Sequence, residues 1–318
     1  MLPAWTRETN YLIKIYERGV ARAPSMKIVV LGLIRNSAGQ TARIVQTIFH
    51  TLRRFGDARL ILVENDSEDG TQATLTNICR DPKVHCLSQV YGASKWKAGM
   101  HAERITAMAH ARRFMLSAFR AVEGGRLLTW DLVAVVDLDL VPRNGVGWDE
   151  EMLYLSLGRN FRRPWDVICS QGLNVWDRDS SRHLYFHDVI AFRPRGFRAQ
   201  STQQLHRMFE STARTLFNDG IELKPVDSCF GGMALYNPSV LRYCDYDVGD
   251  RGSNFDQLCE HVGLNKCMRE TGHDRIFLDP LMSTYYSDAM RTATRIKEID
   301  RVCVDRTNPT TVLRHEPT

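Results

Sequence analysis

The sequence predicts an α/β fold, a largely parallel sheet wrapped by helices. Short runs such as KIVVLGLI (27–34), LILV (60–63) and LVAVV (132–136) are almost wholly apolar and rich in β-branched residues. That is the signature of strands covered on both faces. Segments with apolar residues at helical spacing separate them, and the connections are short. A β-α-β order with short loops makes neighbouring strands parallel, joined by right-handed crossovers.

The first strand spans 26–34. Arg35-Asn36-Ser37 turns the chain, with Asn36 or Ser37 as the cap of a helix over 39–55. Ile44, Val45, Ile48, Phe49 and Leu52 share one face of that helix, and Gly56 ends it. The second strand, 60–63, runs into the acidic turn ENDSEDGT (64–71), followed by a helix over 71–79 and a third strand over 84–90. A long helix over 101–121 turns Ile105, Met108 and Met115 toward the core, then leads into the strand 132–136. A helix over 148–157 and a strand over 165–171 come next. The segments 172–178 and 185–189 read as loops carrying aromatic and polar side chains, among them Trp176 and Tyr185. A helix over 201–217 precedes VDSCFGGMALY (226–236), a β-forming run broken by Gly231-Gly232. There the backbone must pass close to something or take positive φ. A strand over 275–281 closes the sheet. The organisation expected is an amphipathic segment over 1–25, one domain over 26–287 and a polar tail over 288–318.

The bulk properties narrow the function classes. With 318 residues, 43% hydrophobic and 25% charged, the composition is that of a soluble globular chain with room for a sizeable core. A net charge of +5 fits an anionic ligand. The basic residues are dispersed and not interleaved with aromatics, which argues against a nucleic-acid partner. Short basic runs such as Arg53-Arg54, Arg112-Arg113 and Arg162-Arg163 read as solvated helix faces. The eight cysteines include no Cys-X-X-Cys pair, and they read as mostly reduced structural thiols of a cytosolic chain. No run nears the roughly 18 apolar residues of a membrane span, and 1–25 lacks the apolar core of a signal peptide. The expectation is a cytoplasmic protein whose first helix packs on the domain or touches a membrane surface.

Chemistry concentrates at strand ends. Asp137 and Asp139 follow a buried strand at i and i+2, so they share one side of an extended segment. Two carboxylates that close repel each other and call for a cation; their oxygens suit Mg²⁺ or Mn²⁺. The alternative is a solvated pair in the turn before Pro142. Glu64 and Asp66 end the second strand in the same crevice, where open α/β sheets bind ligands, and suit ribose hydroxyls or a base edge. Arg35 and Arg104 are candidates for phosphate contacts. Asp188, Asp227 and Glu260 are candidate general bases. His261, beside Glu260, is a candidate to complete a metal shell.

The order of these motifs resembles the GT-A glycosyltransferases, and more narrowly the fungal capsule-associated mannosyltransferases. The residues that carry the likeness are ENDSEDGT (64–71), VDLD (136–139), SCFGG (228–232) and CEH (259–261), within roughly 26–285. The resemblance implies a GT-A-like Rossmann-type mixed sheet flanked by helices. It also implies a GDP- or UDP-sugar donor, a glycan or glycoconjugate acceptor and Mn²⁺ or Mg²⁺. Asp137 and Asp139 would then hold the metal against the diphosphate, with Glu64 and Asp66 near the nucleoside. Arg35, Arg104, Gly231 and Gly232 would lie along the donor, and His261 would be a third metal ligand. The subfamily favours mannose and retention of configuration. The alternatives are a nucleotidyltransferase, which usually opens with a Gly-rich basic loop not found after the first strand here, and an inactive binding module.

Overall fold

A computed structural model describes residues 4–92, 102–123, 129–138, 150–159, 164–178, 181–198, 201–215, 222–248 and 259–285. Among them, ten strands form one sheet: β1 (Lys27–Ile34), β2 (Asp57–Asn65), β3 (Val84–Gln89), β4 (Leu132–Asp137), β5 (Val167–Arg178), β6 (Ser181–Phe186), β7 (Arg193–Pro194), β8 (Lys224–Ser228), β9 (Met233–Tyr236) and β10 (Ile276–Tyr285). The order is β3-β2-β1-β4-β9-β5-β10-β8-β7, with β6 paired to β5. β3, β2, β1 and β4 are mutually parallel. β9 runs antiparallel to both β4 and β5, so the sheet is mixed.

Seven helices flank it: α1 (Ala4–Arg22), α2 (Ala38–Leu52), α3 (Thr71–Ile78), α4 (Ala102–Glu123), α5 (Glu150–Arg159), α6 (Thr202–Thr215) and α7 (Glu260–Glu270). The unbroken apolar strands are explained by two cores. Val29, Leu31, Ile61, Val63, Val133 and Val135 face α4, α6 and α7, meeting Met115, Phe119, Leu205 and Leu264. The alternate residues Ile28, Val30, Leu60, Leu62, Ala134 and Val136 face the other layer, meeting Val45, Ile48 and Leu75 of α2 and α3 and Leu153 of α5. Period-two alternation thus sends successive side chains to opposite layers, and both layers are apolar.

Several expectations change. The segments 172–178 and 185–189, read as loops, lie mostly in the hairpin β5–β6, paired from Leu173↔Phe186 to Arg178↔Ser181. Beyond the buried Leu173 and Phe186, its residues mix polar, charged and aromatic side chains without a clear period. The Gly231-Gly232 break, as expected, takes positive φ and passes close to another backbone, and it lies at the mouth of the interior strand β9. The cysteines are not mostly reduced: Cys79–Cys86, Cys169–Cys229 and Cys244–Cys267 are disulfides, with Cα separations of 5.9, 5.8 and 5.7 Å. Cys259 is buried and free. Bridges between cysteines 60 and 23 positions apart leave no local spacing signal. Among the described residues no helix is long and apolar enough to cross a membrane. The tail over 288–318 lies outside the described residues.

α1 packs along α5. Ile15 is buried, and Tyr16 meets Tyr154 edge-on at 6.0 Å. The helices cross at two glycines. A Cβ on Gly158 would strike the Ile15 carbonyl, and one on Gly19 would strike that of Tyr154. Gly158→Ala is therefore expected to cost about 1–3 kcal/mol through overpacking. It should also release α1 to limited proteolysis while the rest of the chain stays resistant.

Candidate active site

Asp137 closes β4, and its N–H donates to the Gly232 carbonyl at 2.8 Å. The chain can reach that position because Gly231 takes φ +68° and Gly232 φ +86°. At Gly231 any side chain would also strike the Ser170 carbonyl. The Ser170 hydroxyl donates to the Gly231 carbonyl at 2.6 Å, and Thr284 also donates to that oxygen. The Cys169–Cys229 bridge pins the same crossing.

Arg112, from the middle of α4, points into this junction and is 2% exposed. Its Nη2 donates to Asp137 Oδ1 at 2.7 Å and its Nε to Glu260 Oε1 at 3.0 Å. The guanidinium lies over the Phe230 ring at 4.8 Å and the Tyr246 ring at 5.7 Å. Burial works against its charge, but Asp137 and Glu260 outweigh that and hold its pKa well above the ordinary value. Glu260 and His261 form the first turn of α7. The His261 ring stacks on Phe230 at 3.8 Å, and its Nε2 lies 3.6 Å from Glu260 Oε1. Burial, then Arg112, pushes its pKa well below the usual value, so the imidazole is neutral. Arg112 is the residue that sequence reasoning missed. Beside Arg113 it looked like a solvated pair, and only the helix period separates a buried 112 from a half-exposed 113.

Asp188 joins from the turn after β6, and its Oδ2 accepts the Gly231 N–H at 2.9 Å. Burial raises its pKa; the Gly231 bond opposes this, while nearby Asp137 and Glu260 add to it, leaving it at about 7. The neighbouring His187 is held below its usual pKa by burial, partly offset by Asp137. Asp137, Asp188, Glu260 and His261 therefore share one locus at the end of β4. Asp139 lies outside the described residues. Among the described residues no group of three or more His, Cys, Asp or Glu is arranged to hold a metal ion.

The acidic turn after β2 is stitched to the turn after β1. The Asn36 N–H donates to Ser67 Oγ at 3.0 Å, and the Glu68 N–H donates to Asn36 Oδ1 at 2.9 Å. The Ala38 N–H at the start of α2 donates to Asp69 Oδ2 at 3.0 Å, so the acceptor at that helix start comes from the other turn. Glu64, 1% exposed, accepts from Ser88 (2.6 Å), the Ser67 N–H (2.8 Å) and Gln72 (2.9 Å). Burial alone would raise its pKa, but these donors bring it below the usual value. Asp66, at φ +47°, accepts from the N–H groups of Tyr91 and Gly92, fixing the chain beyond β3. Arg35 is half-buried at the end of β1, and Arg104 is exposed on the first turn of α4. The side chains of Trp176 and Tyr185 lie outside what is described.

Asp227 takes up a different setting. It is 3% exposed, and its carboxylate meets Arg198 at 2.9 Å, Arg269 at 3.2 Å, Arg195 at 3.3 Å and the Gly196 N–H at 3.0 Å. Burial would raise its pKa, but the guanidiniums outweigh it and the net shift is downward. Such a group adds stability that is present above its unfolded pKa and lost as pH falls through the folded one. Asp227→Asn should cost about 1–3 kcal/mol at pH 7 in chemical denaturation, because a buried carboxylate loses its charge against the partly buried Arg269 and the exposed Arg195 and Arg198. That cost should shrink as pH falls through the acid range.

The chain is similar to several solved structures. One is a mannosyltransferase from Pyrobaculum calidifontis in complex with GDP-Man and Mn²⁺: 13% identity over 88% of this chain and 67% of that one, TM-score 0.43. Another is the glucosyl-3-phosphoglycerate synthase of Mycobacterium tuberculosis with Mn²⁺, UDP and phosphoglyceric acid: 12% identity over 92% and 82%, TM-score 0.44. A third is S. aureus TarS with UDP: 11% identity over 92% and 68%, TM-score 0.43. No protein-family model matches the chain, and no curated protein sequence matches it.

Proposed function

We propose that the chain is a metal-dependent glycosyltransferase of the GT-A kind. It moves a sugar from a GDP- or UDP-sugar to a hydroxyl of a glycan or glycoconjugate. The observation that carries this reading is the gathering of three carboxyl groups at the carboxyl end of β4: Asp137 and Glu260 on the buried Arg112 guanidinium, and Asp188 on the Gly231 N–H beside them. Among the described residues these groups do not by themselves make a metal site, though carboxylate oxygens are the donors that a hard divalent cation takes. Asp137 with Asp139 would hold Mn²⁺ or Mg²⁺. Both ring nitrogens of His261 are buried without a hydrogen-bond partner, which fits its candidacy as a further ligand. When bound, the ion neutralises the departing diphosphate.

The chain's own groups divide the remaining work. Glu64 and Asp66 shape the nucleoside side by holding the loops after β2 and β3. Arg35 and Arg104 flank the crevice as phosphate contacts. Asp188 is the base that the geometry favours for an inverting reaction, because its pKa near 7 lets it take a proton at neutral pH. Asp227 is committed to its arginines, and Glu260 to Arg112. In a retaining reaction, which the capsule-family resemblance favours along with mannose, Asp188 instead stabilises positive charge at the sugar. The three disulfides fit an oxidising compartment, in place of the cytoplasm expected from the sequence.

The test is thermal shift against UDP-, GDP-, CMP- and dTDP-sugars, with and without Mn²⁺. A metal-dependent rise with one nucleotide is expected and names the donor class; no rise with any of them overturns the reading. Asp139→Asn should then reduce transfer by at least about a hundredfold with the fold retained. Ionising Asp188 opposes folding, because its folded pKa lies above its unfolded one. In metal-free protein, Asp188→Asn should therefore match wild type near pH 4. It should gain roughly 2–4 °C in Tm by pH 8. A wild-type advantage at pH 8 would remove Asp188 from its assigned state.

A further inference from the structure

Away from Asp137, the C-terminal end of α7 carries a second concentration of charge. β7 runs into the turn Pro194-Arg195-Gly196-Phe197, where the Phe197 N–H donates to the Pro194 carbonyl at 3.1 Å and Gly196 takes φ +75°. A four-residue turn with positive φ at its third position favours glycine there. The turn brings Arg195 to one oxygen of Asp227 at 3.3 Å and Arg198 to the other at 2.9 Å. Arg269, in the last turn of α7, reaches that second oxygen at 3.2 Å. Three guanidiniums on one carboxylate leave two positive charges in excess. The charges around them are balanced. Arg275 holds Asp166 through Nε at 2.9 Å and Nη2 at 2.7 Å, and Lys266 faces Glu270 at 3.9 Å. An ion pair built only for stability looks like Arg275 and Asp166, one planar fork on one carboxylate.

The surplus at Asp227 is not absorbed by the protein. Like the Nη1 of Arg112, the Nε of Arg269 is buried without a hydrogen-bond partner, which folded proteins rarely allow. Burial lowers the Arg269 pKa; Asp227 opposes that, but Arg198 and Arg195 press it down further, and it stays below the ordinary value. Arg195 and Arg198 are exposed, so the excess charge is presented to water. The cluster is also distinct from the site at the end of β4. The contacts Phe230–His261, Ser228–Asn265 and Asp227–Arg269 run in step along α7. The eight positions from His261 to Arg269 span about 12 Å of helix.

We propose that Arg195, Arg198 and Arg269 form a binding site for a tetrahedral oxyanion, a phosphate or sulfate group, taken as the free ion or as a substituent of a larger molecule. Asp227 holds the three forks together, and the oxyanion neutralises the charge that one carboxylate leaves over. Guanidiniums suit this ligand because their planar N–H pairs match two oxygens at once. The inference goes beyond the transferase reading and does not depend on it.

The experiment is a titration of a fluorescein-labelled, sulfated heparin hexasaccharide with the full chain, followed by fluorescence anisotropy at low ionic strength, where such contacts are least screened. Wild type should bind it. Arg195→Gln with Arg198→Gln should weaken binding at least about tenfold, because charge-assisted hydrogen bonds are lost. Arg53→Gln with Arg54→Gln removes the same charge from an exposed place elsewhere and should stay within about threefold of wild type. If the first double variant does not fold, Arg198→Gln alone, at an exposed position, takes its place and should weaken binding at least about threefold.

Competition by inorganic phosphate and sulfate, each set against chloride at equal ionic strength, separates the two sources. Displacement beyond that of chloride means that the free ion occupies the site. Displacement that only matches chloride means that the site takes the group on a carrier. Wild type that does not bind the hexasaccharide overturns the proposal. So does an Arg195, Arg198 double variant that loses no more affinity than the Arg53, Arg54 one, because binding would then follow net charge and not this cluster.

Discussion

A single buried guanidinium is shared by the last residue of a central strand and the first turn of a helix. Arg112 reaches Asp137 at 2.7 Å and Glu260 at 3.0 Å, and it lies over Phe230 and Tyr246. Its charge is costly to bury, and it is tolerated because two carboxylates and two aromatic faces surround it. The dependence runs both ways. Without Arg112, the carboxylate-lined end of β4 would carry negative charge in a setting poor in water. Without that charge, α4 would bury an unpaired cation. The core packing of α4 through Met115, Leu116 and Phe119 fixes where the guanidinium must lie. The fold thus sets the electrostatics of the site before any ligand is present.

Covalent and backbone constraints converge on the same place. The Cys169–Cys229 bridge and the Ser170 hydroxyl hold the approach to Gly231-Gly232, and the glycines let β9 start flush against Asp137. The Cys244–Cys267 bridge ties the segment that carries Tyr246 to α7, which carries Glu260 and His261. Gly263 lets α7 approach the Asp247 backbone at that contact. A bridge closing a long loop acts chiefly on the unfolded chain, but here its native-state effect matters as much. It limits how far the two halves of the site can drift.

The strands and helices were legible because burial on both faces writes a continuous apolar run, and a helix between two layers writes a 3.6 period. Asp137 was legible because a carboxylate directly after such a run needs a reason. Asp188 and Glu260 appeared as candidates, but nothing local separated them from Asp227. What separates them is three-dimensional: Asp227 meets three guanidiniums contributed by segments up to 42 positions away, whereas Asp188 meets a backbone N–H and other carboxylates. Arg112 was hidden because a charged residue on a helix is solvated in most contexts. Its burial depends on partners 25 and 148 positions away. The hairpin β5–β6 was hidden for the opposite reason, since beyond the buried Leu173 and Phe186 its residues mix polar, charged and aromatic side chains without a clear period. Pairwise chemistry between distant residues is what a single sequence does not write down.

The half-satisfied nitrogens of Arg112 and His261 are the natural end of this line. A core built only for stability would replace a buried Arg–carboxylate pair and a neutral, unpartnered imidazole with apolar side chains, at little cost and sometimes with gain. Nearby, the Asn265 amide nitrogen donates to Ser228, Cys229 and His261, while its own Oδ1 is buried without a partner. One turn of helix away, the His261 ring has no such bonds. Open polar groups of this kind are expected of a surface shaped to be finished by a bound group, because polar groups matched to a ligand must stay unmatched until it arrives.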